Sequence, residues 1–118
     1  MPTPTLTEAV RRELLVRSQV TETTHRFGGI EFRLGRRALG HLHGDRMADL
    51  PFPRRVRDEL IADGRAQPHH ALPDSGWVTR RVHGPGDVEA IVALFALSYE
   101  RALAARGERE RERQAAAA

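Results

Sequence analysis

Apolar and polar positions alternate most cleanly over residues 30–45, IEFRLGRRALGHLHGD. Ile30, Phe32 and Leu34 are separated by Glu31 and Arg33, the period of two of a strand with one buried face. Gly35-Arg36-Arg37 supplies a turn, and the chain returns through Ala38 to His43. Register decides the chemistry here, because a slip of one residue moves every side chain to the other face. A two-residue turn puts His41 and His43 beside the apolar residues. A three-residue turn groups Ala38, Gly40 and Leu42 with them and leaves Glu31, Arg33, Leu39, His41 and His43 on a polar face. The second segregates the two classes better and is the register expected.

Three stretches have helical spacing. Thr5-Leu6-Thr7-Glu8 has capping-box form, and Leu6, Ala9, Val10 and Leu14 follow at helical intervals, predicting a helix over residues 6–18. Pro53 suits a first helical turn, with Val56, Leu60 and Ile61 inward and Gly64 as the stop. Asp87 caps a last helix whose stripe is Val88, Ile91, Val92, Phe95, Tyr99 and Leu103. Between them, residues 20–26 (VTETTHR) read as a strand and 46–53 (RMADLPFP) as a loop. Residues 67–72 and 77–82 read as a second hairpin across Pro73-Asp74-Ser75-Gly76. The order is α-β(3)-α-β(2)-α, an α+β fold of two layers with an antiparallel sheet backed by helices on one face. Residues 1–107 form one domain. Past Gly107 the run ERERERQAAAA places like charges four apart, so residues 108–118 are expected to be a charged, frayed tail.

Composition narrows the function classes. With 118 residues there is room for one modest core. The chain has no cysteine, which excludes disulfides, thiolate zinc sites and cysteine nucleophiles. No apolar signal core or membrane-length run occurs, so a cytoplasmic protein without membrane contact is expected. All 19 basic residues are arginine, a usage expected of GC-rich coding and a bacterial source. A net charge of +3 permits nucleic-acid binding without arguing for it.

Four stretches carry a resemblance: FGGIEFRLGRRALGHLHGD, DLPFPRRVRDELIADGRA, PHHALPDSGWV and LFALSYERA. They resemble a group of small bacterial and fungal proteins known as luciferase-like domains, over residues 27–103. The SGW segment, the final SYERA and the order of elements also resemble YjbR/CyaY-like proteins. The resemblance implies a two-layer fold with a curved sheet open on one face, and no settled activity. Light emission is not implied, since nothing in the chain looks like a flavin site, an adenylate-forming site or a large luciferin pocket. The YjbR-like side implies an association with DNA only by fold-level analogy.

The candidate chemistry lies in four of the six histidines. His41 and His43, two apart on a strand, present their imidazoles on one face. Asp45, His69 or His70 would complete a three-ligand set for zinc or a similar metal. Ser75 sits in a turn and has no G-x-S-x-G elbow around it, so a serine hydrolase is not expected. Arg33, Arg36, Arg37, Arg80 and Arg81 would be the groups for a phosphate backbone, with Trp77 as a stacking platform. The glycines match no phosphate-binding spacing. The first expectation is a non-enzymatic module that binds a small molecule or a protein partner through His41, His43, His70 and Trp77, with no cofactor. The first alternative is a metal-dependent or acid–base enzyme built on His41, His43 and His70, a divalent metal drawing its ligands from these with Asp45 and His69. The second alternative is nucleic-acid binding through the arginines.

Overall fold

The computed structural model describes residues 3–25 and 28–117. Its elements are α1 (Leu6–Leu14), β1 (Val20–Thr24), β2 (Ile30–Leu34), β3 (Arg37–His43), β4 (Met47–Pro51), α2 (Arg54–Ala62), β5 (Gln67–Pro68), β6 (Trp77–Arg81) and α3 (Asp87–Ala117). The strands form one antiparallel sheet in the order β1-β2-β3-β4-β6-β5. The α3 helix lies across β2, β3, β4 and β6, and α1 packs alongside α3. The α+β architecture is thus the one expected, with one strand more. The expected strand end at Arg26 and turn residue Phe27 lie outside the described residues. Among the described residues no helix is long and apolar enough to cross a membrane.

The hairpin reaches the expected facing by another route. Leu34 pairs with Arg37, so the turn is the two-residue Gly35-Arg36, not a three-residue one. Gly35 has φ +61°, the value a II′ hairpin turn needs at its first central position. That register would have sent the histidines into the core. A bulge prevents it: Arg33 pairs with Ala38 but Phe32 pairs with Gly40, leaving Leu39 without a partner on β2. Beyond the bulge, Ile30 pairs with Leu42 and Glu31 with His41. Leu39 is fully buried, contrary to its expected place on the polar face, and its carbonyl accepts a 2.7 Å bond from Ser98 Oγ of α3. Ala38 turns to the open side instead, beside Pro51 and Trp77.

The segment expected to be a loop, residues 46–53, contains β4, a central strand between β3 and β6. Its Ala, Asp and Pro have poor strand propensity, so the segment resembles a loop in isolation. Pairing on both sides overrides that. Ala48 and Leu50 fill the core, and Pro51 ends the strand opposite Trp77. At the C-terminus α3 runs on to Ala117. Alanine at its end and the Glu110–Arg113 pair (3.2 Å) favour helix, while the residues past Gly107 stay exposed and outside the core. Leu103, expected in the apolar stripe, is 44% exposed; Leu94, Ser98 and Ala102 are buried in its stead.

The core closes on a tight contact. The Phe95 ring, fully buried, packs edge-to-face on Phe32 with centroids 5.8 Å apart. A Cβ on Gly40 would lie 2.6 Å from Phe95 Cε1 and 3.0 Å from the Asp49 carbonyl oxygen. Only glycine lets this helix approach the sheet so closely. Phe95→Ala should cost about 3–5 kcal/mol, as for other buried phenylalanines, and Gly40→Ala about 1–3 kcal/mol from overpacking. In the double variant the alanine methyl meets no ring, so chemical denaturation should show a cost well below the sum. Strict additivity would mean that the clash with the Asp49 backbone, not with the ring, forbids a side chain at residue 40.

Candidate functional site

One cross-strand row carries the polar chemistry. The register aligns Thr23, Glu31, His41, Asp49, Thr79 and Gln67 side by side across the sheet, on the face turned away from α3. The strand that sequence reading missed therefore supplies the centre of the site. Asp49 is only 2% exposed. Its Oδ1 accepts a 2.6 Å bond from Thr79 Oγ1. Its Oδ2 meets His43 Nε2 at 2.8 Å, His70 Nε2 at 3.0 Å and His69 Nε2 at 3.4 Å. Burial alone would raise the Asp49 pKa, but the bonds from Thr79, His70 and His43 and the charge of His69 outweigh it, so the carboxyl is held below its usual range.

His41 lies in the same row but serves another acid: its Nε2 is 2.6 Å from Glu31 Oε1. Glu31 also accepts from Arg33. Burial would raise the Glu31 pKa, and the bonds from Arg33 and His41 turn the net shift downward. The rings then build a wall. His41 lies 5.0 Å from Trp77 and 4.4 Å from His25, and His69 stacks on His70 at 4.3 Å. Together with Leu72 these rings line an open cleft of about 380 Å³ with Asp49 at its floor.

His69 has a defined tautomer. Its Nδ1 accepts the backbone N–H groups of Ala71 (3.1 Å) and Leu72 (3.0 Å). A nitrogen that accepts carries no proton, so the neutral ring holds its hydrogen on Nε2, towards Asp49. Burial lowers the His69 pKa first, the charges of His70 and His43 add to this, and Asp49 opposes it. Such a ring cannot also offer Nε2 to an ion. The set that can hold a metal is therefore His43, Asp49 and His70, whose ligand atoms all lie within 4.8 Å of one another.

The structure thus brings His41, His43, His69, His70 and Trp77 together as the sequence suggested. It does not bring Asp45, which accepts from the backbone N–H (2.9 Å) and hydroxyl (2.6 Å) of Thr7 in the first turn of α1. Nor does it gather the five arginines. Arg33 is paired with Glu31, Arg80 bonds Asp87 (2.6 Å) and the Arg65 carbonyl (2.8 Å), and Arg81 reaches Gln67 (3.4 Å). Ser75 is used within its own turn, donating to the Leu72 carbonyl and accepting from the Trp77 N–H. Sequence reading missed Asp49, because its strand was read as a loop, and His25. The one signal for His25 was its position at the end of a strand that pairs next to Ile30.

The family model described as the Luciferase domain matches residues 36–98, just over half of the chain. The chain belongs to the Luciferase domain family. No curated protein and no solved structure matches it. The Luciferase domain stretch contains His41, His43, Asp49, His69, His70 and Trp77, while Glu31 and His25 lie before it.

The depressed His69 pKa has a definite sign for stability. The folded ring stays neutral while the unfolded one, titrating near ~6.5, takes up a proton. Its contribution is fully present above about pH 6.5 and is lost as pH falls from there towards the folded value. In chelator-treated protein the melting temperature should therefore fall less steeply below about pH 6.5 in His69→Gln than in the parent. Long-range ¹H–¹⁵N spectra of the parent should show His69 as the Nε2–H tautomer; an Nδ1–H ring would contradict the assignment.

Proposed function

We propose that the open face of this Luciferase domain is a binding site for a small planar molecule, assembled over a divalent transition metal held by His43, Asp49 and His70. One observation carries the reading: three imidazole Nε2 atoms converge on a single carboxylate oxygen of a nearly inaccessible aspartate. The separations of 2.8 and 3.0 Å from Oδ2 match the roughly 3 Å between neighbouring ligand atoms when bonds of ~2.1 Å meet near right angles. Two histidines and one carboxylate would leave coordination positions open to a ligand. Thr79 orients the carboxylate through its other oxygen, as the outer partners of metal ligands do.

Trp77, His41 and Leu72 form the wall against which a flat ring would stack. We read the site as one for binding and not for turnover. The cleft is open to solvent, and the serine beside it is spent in a turn, so neither water exclusion nor an activated nucleophile supports catalysis. A bacterial cytoplasmic setting belongs to the same reading, its bacterial part supported by the exclusive use of arginine.

Protein purified without a histidine tag, stripped with chelator and titrated with Co²⁺ should bind one ion and develop visible absorption bands. His43→Ala and His70→Ala should each weaken binding by more than ~100-fold, and Thr79→Val by about 10–100-fold. His69→Gln should still bind. Loss in His69→Gln as complete as in His70→Ala, or no binding by the parent, would sink the metal assignment. Trp77 is the only tryptophan of the chain, so its fluorescence reports on the cleft directly. Quenching by planar aromatic acids that disappears in His41→Ala would support the ligand wall even where the metal assignment failed.

A further inference from the structure

At the turn of the β2–β3 hairpin a second concavity, of about 370 Å³, lies between Gly35-Arg36-Arg37 and the exposed half of α3. Arg36, Arg37, Arg106 and Arg109 line it, over a floor of Leu34 and Ala102. Arg101, on α3, stands close enough for its charge to act on Arg37. Among the described residues, none of these five guanidinium groups has an acidic partner in an ion pair. Elsewhere among the described residues Arg11, Arg17, Arg33, Arg57, Arg80 and Arg113 are each paired with a carboxylate, while Arg12, Arg46, Arg54, Arg55, Arg65, Arg81 and Arg111 have no such pair but do not line this concavity. Arg106 bonds only the neutral side chain of Gln19, and Arg101 Nε is buried without a hydrogen-bond partner.

Such a cluster of like charges is self-repelling. Burial, and then the charges of Arg109 and Arg101, hold the Arg37 pKa below its usual value, so its charged form is strained where it stands. Like charges gathered around a concavity without a counter-charge make a site for an anion. Guanidinium forks match the oxygens of a phosphate in pairs.

We propose that Arg36, Arg37, Arg106 and Arg109 form a binding site for a phosphate group, separate from the histidine cleft. The group is compact and anionic, since it must engage several forks within one small concavity. It belongs either to a small phosphorylated molecule or to a nucleic-acid backbone. Of the arginines the sequence suggested for phosphate, two take part, and the helix supplies the others.

Pyrophosphate serves as the probe, with thermal melting and calorimetry at constant ionic strength. The parent should melt higher as pyrophosphate is added, with chloride of equal ionic strength giving no such shift. Arg37→Gln and Arg109→Gln should each weaken pyrophosphate binding by roughly tenfold or more, one charge-assisted interaction being lost. The same variants should melt no lower than the parent without anion, because each relieves repulsion. That combination separates a binding role from a structural one, and Arg36→Gln, at an exposed position, guards against misfolding of the others. Competition then assigns the source. A single-stranded oligonucleotide that displaces pyrophosphate points to a nucleic-acid backbone, and one that does not points to a small phosphorylated ligand. Equal shifts in parent and variants, or an equal effect of chloride, would overturn the proposal.

Discussion

A carboxylate that has lost nearly all its water stays ionised only if donors replace that water. Asp49 is such a group, and its donors come from three separate parts of the chain: Thr79 on β6, His43 on β3, and His69 and His70 in the loop after β5. The acid ties the open face together. Replacing it by an apolar residue of similar size would spare the desolvation of a charge, and buried ion networks often stabilise less than apolar packing does. A charge at the centre of the sheet is therefore poorly explained by stability alone. It is well explained by a need to hold imidazoles in one place.

The opposite face makes that arrangement possible. Because α3 presses Phe95 onto Gly40, the sheet is sealed on the helix side, and the polar row from Thr23 to Gln67 can face only outward. The Leu39 bulge links the two faces. It turns one more large side chain into the core and restores the register that puts His41 and His43 outside. A sheet with the same turn and no bulge would have directed both histidines at α3.

Much of this was legible in the sequence, and what was not has physical reasons. The capping box at Thr5 and Glu8, the stop at Gly64, and the burial of Ile91, Phe95 and Tyr99 follow from local rules, and the structure has them. The facing of the hairpin histidines was read correctly, but through a wrong turn: amphipathic alternation constrains the final face and says nothing of how the chain reaches it. β4 was hidden because its residues are poor strand formers that are rescued by neighbours on both sides. With β4 went Asp49, and Asp45 looked like the natural acid because it is close in sequence. His69 and His70 were expected on a strand and come from a loop, where adjacent residues can both turn to one oxygen as strand neighbours cannot.

The crowding at that oxygen bears on what the cleft holds. A carboxylate oxygen offers about two lone-pair directions, and here three imidazole nitrogens address Oδ2 while Oδ1 is taken by Thr79. His43 and His70 are at hydrogen-bond distance, and His69, whose backbone bonds put its hydrogen on Nε2, crowds the same oxygen from 3.4 Å. His43 and His70 are the rings with freedom left, 30% and 35% exposed beside an acid that is 2% exposed. A cation in place of their two protons would turn competing donors into cooperating ligands and balance the buried charge of Asp49. Protonating the rings would balance the charge as well, but it leaves three N–H donors on one oxygen. A metal held by His43, Asp49 and His70 would resolve both the charge and the crowding, as a purely hydrogen-bonded cluster would not.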